Sequence, residues 1–141
     1  MKHLITAITV ACLFSVLTLT ASAEEKKAGL FTTALSGEIT VGKEGNLELR
    51  FTPAKGYKWN KDYPAKITLP ESKLVKFKKS VLKKAEGDIK ADKAQGVAQM
   101  VGTGTTAGTE TLAVEASFSV CSEETCQVLR KRKVNVQLVV K

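Results

Sequence analysis

Two long stretches at the end of the chain alternate apolar and polar residues with a period of two, and this constrains the fold more than any other feature. Leu112, Val114, Ala116, Phe118 and Val120 share one parity, with Thr111, Glu115, Ser117 and Ser119 on the other. Beyond Ser122-Glu123-Glu124-Thr125, residues Val128, Val134, Val136, Leu138 and Val140 share a parity opposite Gln127, Lys131, Lys133, Asn135 and Gln137. Successive side chains of a strand point to opposite faces, so runs of this length read as strands with one buried face. Arg130 and Arg132 fall on the apolar parity. They are expected beyond the edge of the core or beside a bulge.

Shorter runs of the same kind precede these two. Ile39 and Val41 alternate with Glu38 and Thr40, and Leu47, Leu49 and Phe51 alternate with Glu48, Arg50 and Thr52. Ile67 with Leu69, and Leu74 to Phe77, add further apolar pieces between turn residues. Residues 80–96 are rich in Ala, Lys, Asp, Glu and Gly and read as a long connection with one helical turn, and 102–109 read as a flexible turn. Short strands punctuated every 8–12 residues or so predict an all-β sandwich of about six to eight short antiparallel strands. No helical periodicity is long enough to cover a parallel sheet.

The start of the chain has a different character. Met1-Lys2-His3 is basic, Leu4 to Thr20 is almost wholly apolar or small, and Ala21-Ser22-Ala23 precedes the charged Glu24-Glu25-Lys26-Lys27. This is the pattern of a cleaved secretory signal peptide over 1–23, which places the mature protein in the periplasm or outside the cell. Residues 24–35 read as a loose leader and 36–141 as the domain. Cleavage would remove Lys2, lowering the formal net charge of +8 by one, and also Cys12 and the only histidine, His3. Without imidazole, residues 24–141 offer no histidine-activated nucleophile and no histidine metal site. No cofactor is expected.

The remaining chemistry is the pair Cys121 and Cys126, which ends one strong strand and begins the next. Residues facing each other at the mouth of a hairpin lie about 4.5–5.5 Å apart, within reach of a disulfide. Two readings are open. As a staple, a bridge closing about six residues stabilises by only ~2 kcal/mol in the chain-entropy model, against ~3 for fifteen. As an exchange site, the pair would be reached from outside in an oxidising compartment. Glu123 and Glu124 oppose a strongly activated thiolate. The spacing is not Cys-x-x-Cys, and no βαβ pattern surrounds it, so a thioredoxin-type site is excluded.

The segment Phe118-Ser119-Val120-Cys121-Ser122-Glu123-Glu124-Thr125-Cys126 resembles the end of DsbD N-terminal-like domains, also called disulfide-bond corrector domains. Lys55-Gly56-Tyr57-Lys58-Trp59-Asn60, followed by Asp62-Tyr63-Pro64, is similar to that family's Gly-Tyr-His-x-Asn…Pro segment, with Lys58 in place of the histidine. The resemblance covers roughly residues 35–140. It implies an immunoglobulin-like β-sandwich in the periplasm whose cysteines, here Cys121 and Cys126, relay reducing equivalents between a membrane electron donor and other periplasmic thiol proteins. It also implies that Tyr57 and Trp59 shield the pair, with ordinary core packing as the competing role. The family's cap loop would fall near 80–96, where no aromatic residue stands.

Basic residues gather in two stretches: Lys73, Lys76, Lys78, Lys79, Lys83 and Lys84, then Arg130 to Lys133. An exported chain without aromatic interleaving does not suggest nucleic acid. A solvated basic face is the expectation, with weak attraction to anionic surfaces or an acidic partner as the functional alternative. Thiol–disulfide exchange by a monomeric domain is therefore the leading expectation. The alternative is a non-enzymatic secreted binding or adaptor module with a structural hairpin disulfide.

Overall fold

The computed structural model describes residues 29–141. The expected signal peptide and the first part of the expected leader lie outside the described residues. Ten strands run in chain order: β1 (Phe31–Gly37), β2 (Glu44–Pro53), β3 (Lys58–Trp59), β4 (Lys66–Thr68), β5 (Val75–Phe77), β6 (Val81–Lys83), β7 (Ile89–Ala91), β8 (Gly96–Gly104), β9 (Gly108–Cys121) and β10 (Cys126–Val140). They form two antiparallel sheets of five strands, as an all-β sandwich requires. The first sheet runs β1-β2-β8-β5 with β7 also on β8. The second runs β10-β9-β4-β6, with β3 paired to β9 as well. Segment 38–42 ties the sheets together through the parallel bridges Ile39↔Val140 and Val41↔Gly104.

The inner faces meet through the residues that the alternation selects. Leu47, Leu49, Phe51, Ala98 and Met100 from the first sheet face Ile67, Leu112, Val114, Phe118, Val120 and Leu138 from the second, all nearly inaccessible to solvent. At one end the core is aromatic. The rings of Trp59 and Phe118 stack with centroids 4.7 Å apart, Phe31 meets Phe118 edge-on at 4.9 Å, and Phe51 lies 5.2 Å from Phe118. Such ring pairs add about 0.5–1.5 kcal/mol each beyond the area they bury.

Several expectations need correction. The domain begins earlier than residue 36: Phe31 to Leu35, placed in the leader by their charged neighbours, open β1 and pair with Pro53 to Leu49 of β2. The strands number ten, and β9 and β10 are long at 14 and 15 residues. The stretch 80–96 holds β6, a 3-10 turn over Lys84–Glu86 and β7. The turn expected over 102–109 shrinks to 105–107, because β8 continues to Gly104 and β9 begins at Gly108. The bulge in β10 is present: the pairing shifts register between Leu129 and Arg132, and Lys131 takes φ 47°. This extra residue reverses the parity, so Leu129 packs against the core while Val128 is 44% exposed. Val128 therefore leaves the buried set to which a continuous alternation assigned it.

Candidate functional site

The site is assembled around the end of β9. Cys121 and Cys126 are direct partners across the β9–β10 hairpin, joined by a disulfide with Cα atoms 3.9 Å apart, closer than the expected spacing of facing residues. The intervening loop is held without the sulfurs. The Ser122 N–H donates to the Thr125 carbonyl at 2.8 Å, and the Ser122 hydroxyl accepts from the N–H groups of Glu124 and Thr125 at 3.3 and 3.2 Å. A serine that caps its own turn fixes the loop by local hydrogen bonds. Beyond the loop, antiparallel pairing continues to Val140↔Gly108.

On its other side β9 carries β3, in the register Lys58↔Cys121 and Trp59↔Val120. The turn that delivers β3 closes through Tyr57 N–H to the Ala54 carbonyl at 2.9 Å, with Gly56 at φ 86°, the position of a type II turn that favours glycine. Asn60 then anchors β3, its N–H donating to the Ser119 carbonyl at 2.9 Å. Cys121 thus lies between Cys126 and Lys58 on the outer face of the second sheet, because Val120 beside it points inward with no exposure. Cys121 is half-buried and Cys126 exposed.

The two aromatic residues named from the sequence separate. Tyr57, half-buried, lines a cleft of about 250 Å³ together with Gly56, Lys58, Cys121, Ser122 and Glu123. Trp59 is 3% exposed and belongs to the aromatic core stack. A side-chain carbon at Gly96 would stand 2.6 Å from the indole, so the glycine of β8 makes room for this ring. Trp59 does not line the cleft beside Cys121, and neither does any residue of 80–96. The sequence motif thus brings Tyr57 and Lys58 to the sulfurs and sends Trp59 beneath them.

Groups with displaced acidities sit away from the cysteines. Asp88 is held below the ordinary carboxylate range, first by the Lys79 ammonium at 2.8 Å and then by the Lys83 N–H. Glu86 is lowered by Lys79 and Lys83. Glu110 is lowered chiefly by the Ser72 hydroxyl, which donates to it at 2.5 Å. These carboxylates brace connections. Among the described residues, no three His, Cys, Asp or Glu side chains gather as a metal site would.

The structure divides the lysine-rich stretch 73–84 between the two sheets, although Lys78, Lys79 and Lys83 still line one cleft with Lys66. Lys76 faces outward from the first sheet, Lys78 pairs with Glu44 at 2.7 Å, Lys79 pairs with Asp88 and Glu86, and Lys83 faces outward from the second sheet. A different grouping, missed by linear reading, arises on the outer face that bears the disulfide. Lys58 of β3, Lys66 of β4, Lys83 of β6 and Lys133 of β10 share it, because their register partners alternate with buried residues. Only strand register could have revealed it. Compared with known proteins, the chain matches no family model and no curated relative.

Proposed function

We propose that the domain is a thiol–disulfide exchange module working through Cys121 and Cys126 outside the cytosol. The observation that carries this reading is the position of the disulfide. It bridges a hairpin that the Ser122 turn and a long register already close, on a surface where Cys126 is exposed. A bridge over a sequence separation of 5 adds little chain-entropy stabilisation, at most about 2 kcal/mol. Its placement suits access better than stapling.

Exchange proceeds by thiolate attack on one sulfur and departure of the other. Exposure favours attack at Cys126. A thiolate of a partner dithiol forms a mixed disulfide with Cys126, and the Cys121 thiolate leaves and takes up a proton. The second thiol of the partner then attacks its own sulfur in the mixed disulfide. This leaves both cysteines reduced and the partner oxidised. Run in reverse against a second protein's disulfide, the same two steps pass the electron pair on. Lys58, directly across from Cys121, is placed to favour the departing thiolate electrostatically.

The competing reading is a binding or adaptor module with a structural disulfide. It draws on the 80–96 stretch, which carries no aromatic residue and lines no cleft with the cysteines. Trapping separates the two. In exchange, Cys121→Ser holds a thiol partner in a mixed disulfide through Cys126, and Cys126→Ser holds far less. If neither variant traps any protein under conditions that trap a known exchanger, the module reading replaces this one.

A further inference from the structure

The outer faces of the two sheets differ in charge. Counting strand residues alone, Glu44, Glu48, Arg50, Lys76 and Lys90 on the first leave one positive charge in excess, with Arg50 3.8 Å from Glu48 and Glu44 bound by Lys78 from the connection after β5. On the second, Lys58, Lys66, Lys83 and Lys133 stand against the single strand acid Glu115. Among the described residues, Lys58, Lys66 and Lys133 form no ion pair, while Lys83 meets Glu86 at 3.3 Å. The exposed residues Arg130, Lys131 and Arg132 extend the positive region along the free edge of β10. The hairpin tip adds Glu123 and Glu124, which are outnumbered.

Local stability does not account for this distribution. Lys66 and Lys83 are direct cross-strand partners, and like charges facing each other on one sheet face are destabilising. Glu86 offsets Lys83 and Glu115 faces Lys133, but Lys66 stands opposite Lys83 with no acid of its own among the described residues. A like-charge pair kept on one face points to a functional demand. Distance along the strands fits a docking footprint. Lys66 lies opposite Ser117, four residues from Cys121, and Lys133 opposite Glu115, six residues away. At about 3.3 Å per residue those offsets are roughly 13 and 20 Å. Exposed Val128, on the same face as Cys126, supplies an apolar contact beside the sulfurs.

We infer that this face docks a protein partner whose cysteine is surrounded by acidic residues, and that the lysines steer that cysteine onto Cys126. The inference rests on the exchange reading and names the chemistry of the partner. Complementary charge around a reactive group raises encounter rates about 10- to 1,000-fold at low ionic strength and loses that effect in salt.

The test uses two cysteine peptides, one flanked by aspartates and one by lysines. The readout is the rate at which each opens the Cys121–Cys126 disulfide, per unit of thiolate. The acidic peptide is faster at low salt, and Lys66→Gln/Lys83→Gln/Lys133→Gln lowers the acidic-to-basic rate ratio about tenfold. Lys58 stays in place, because it adjoins Cys121 itself. The control variant Arg50→Gln/Lys76→Gln/Lys90→Gln, on the opposite sheet, leaves the ratio unchanged. Equal ratios in all three proteins overturn the docking inference and leave exchange standing. If neither peptide opens a disulfide that dithiothreitol does open, both fall. Binding to phosphatidylglycerol vesicles without any peptide preference assigns the face to a lipid surface and also overturns the inference.

Discussion

The two sheets bury their inner faces alike and differ in what they turn outward. Inside, each presents buried residues at every second position, glycine at three of those of β8 and apolar side chains at most others, with exposures of a few per cent or less across the core. Outside, both acids of the first sheet's strands sit in ion pairs, with Arg50 and Lys78. The second carries lysines from four strands around a disulfide, of which Lys83 alone is in an ion pair among the described residues. The inner faces answer to the hydrophobic effect, which is indifferent to which sheet supplies the area. The outer faces have no such common demand, so a systematic difference there reports function more directly than anything in the core.

If the inner faces are equivalent, truncation on either must hurt. Phe118→Ala, which empties the ring stack under the cysteines, is expected to lose about 3–5 kcal/mol, and Met100→Ala on the facing sheet about 2–5 kcal/mol, in urea unfolding. A small loss at either position would break the symmetry. Reducing the disulfide is expected to lower stability by no more than about 2 kcal/mol with β-sheet circular dichroism retained. Loss of the fold on reduction would make the bridge a staple.

Asp88 tests the connection that carries the chain from β6 of one sheet to β7 of the other. Its folded pKa lies below its ordinary value of 3.8, so its contribution is present above that value and is lost as pH falls through the folded pKa. Acid melting should therefore steepen below about pH 4. Asp88→Asn should melt lower at neutral pH and lose less than the native protein on acidification. An unchanged acid limb would mean that Asp88 does not brace this connection. The smallest effect belongs to the bulge. Lys131 is the only described non-glycine residue with positive φ, so Lys131→Gly should be neutral or stabilising by up to about 1 kcal/mol.

The sequence announced β9 and β10 because alternation sustained over that many residues suits a strand and neither a helix nor a loop. It concealed β8, whose inner positions include Gly96, Gly102 and Gly104. Glycine there reads as a turn, yet each marks a close approach: Trp59 over Gly96, Val75 over Gly102 and the Thr40 carbonyl over Gly104. Phe31 to Leu35 were hidden by the charged residues before them, since pairing with β2 is a long-range contact that local composition does not encode. Val128 was misplaced because one left-handed residue, Lys131, resets the phase of β10.

The site was legible in part. The cysteine hairpin and Tyr57 could be named from spacing and resemblance. The core position of Trp59 depends on Gly96 and Phe118, which stand far from it in sequence. The lysine face depends on the register of four strands, and each lysine alone looks like ordinary solvated charge.

The reduction potential of Cys121–Cys126, measured by equilibration of the intact protein with glutathione, tests the central claim most directly. An exchange site requires a value above about −300 mV, with part of the pair reduced at the ratios that poise its compartment. A value well below about −300 mV would make the disulfide a permanent structural bond and contradict the account.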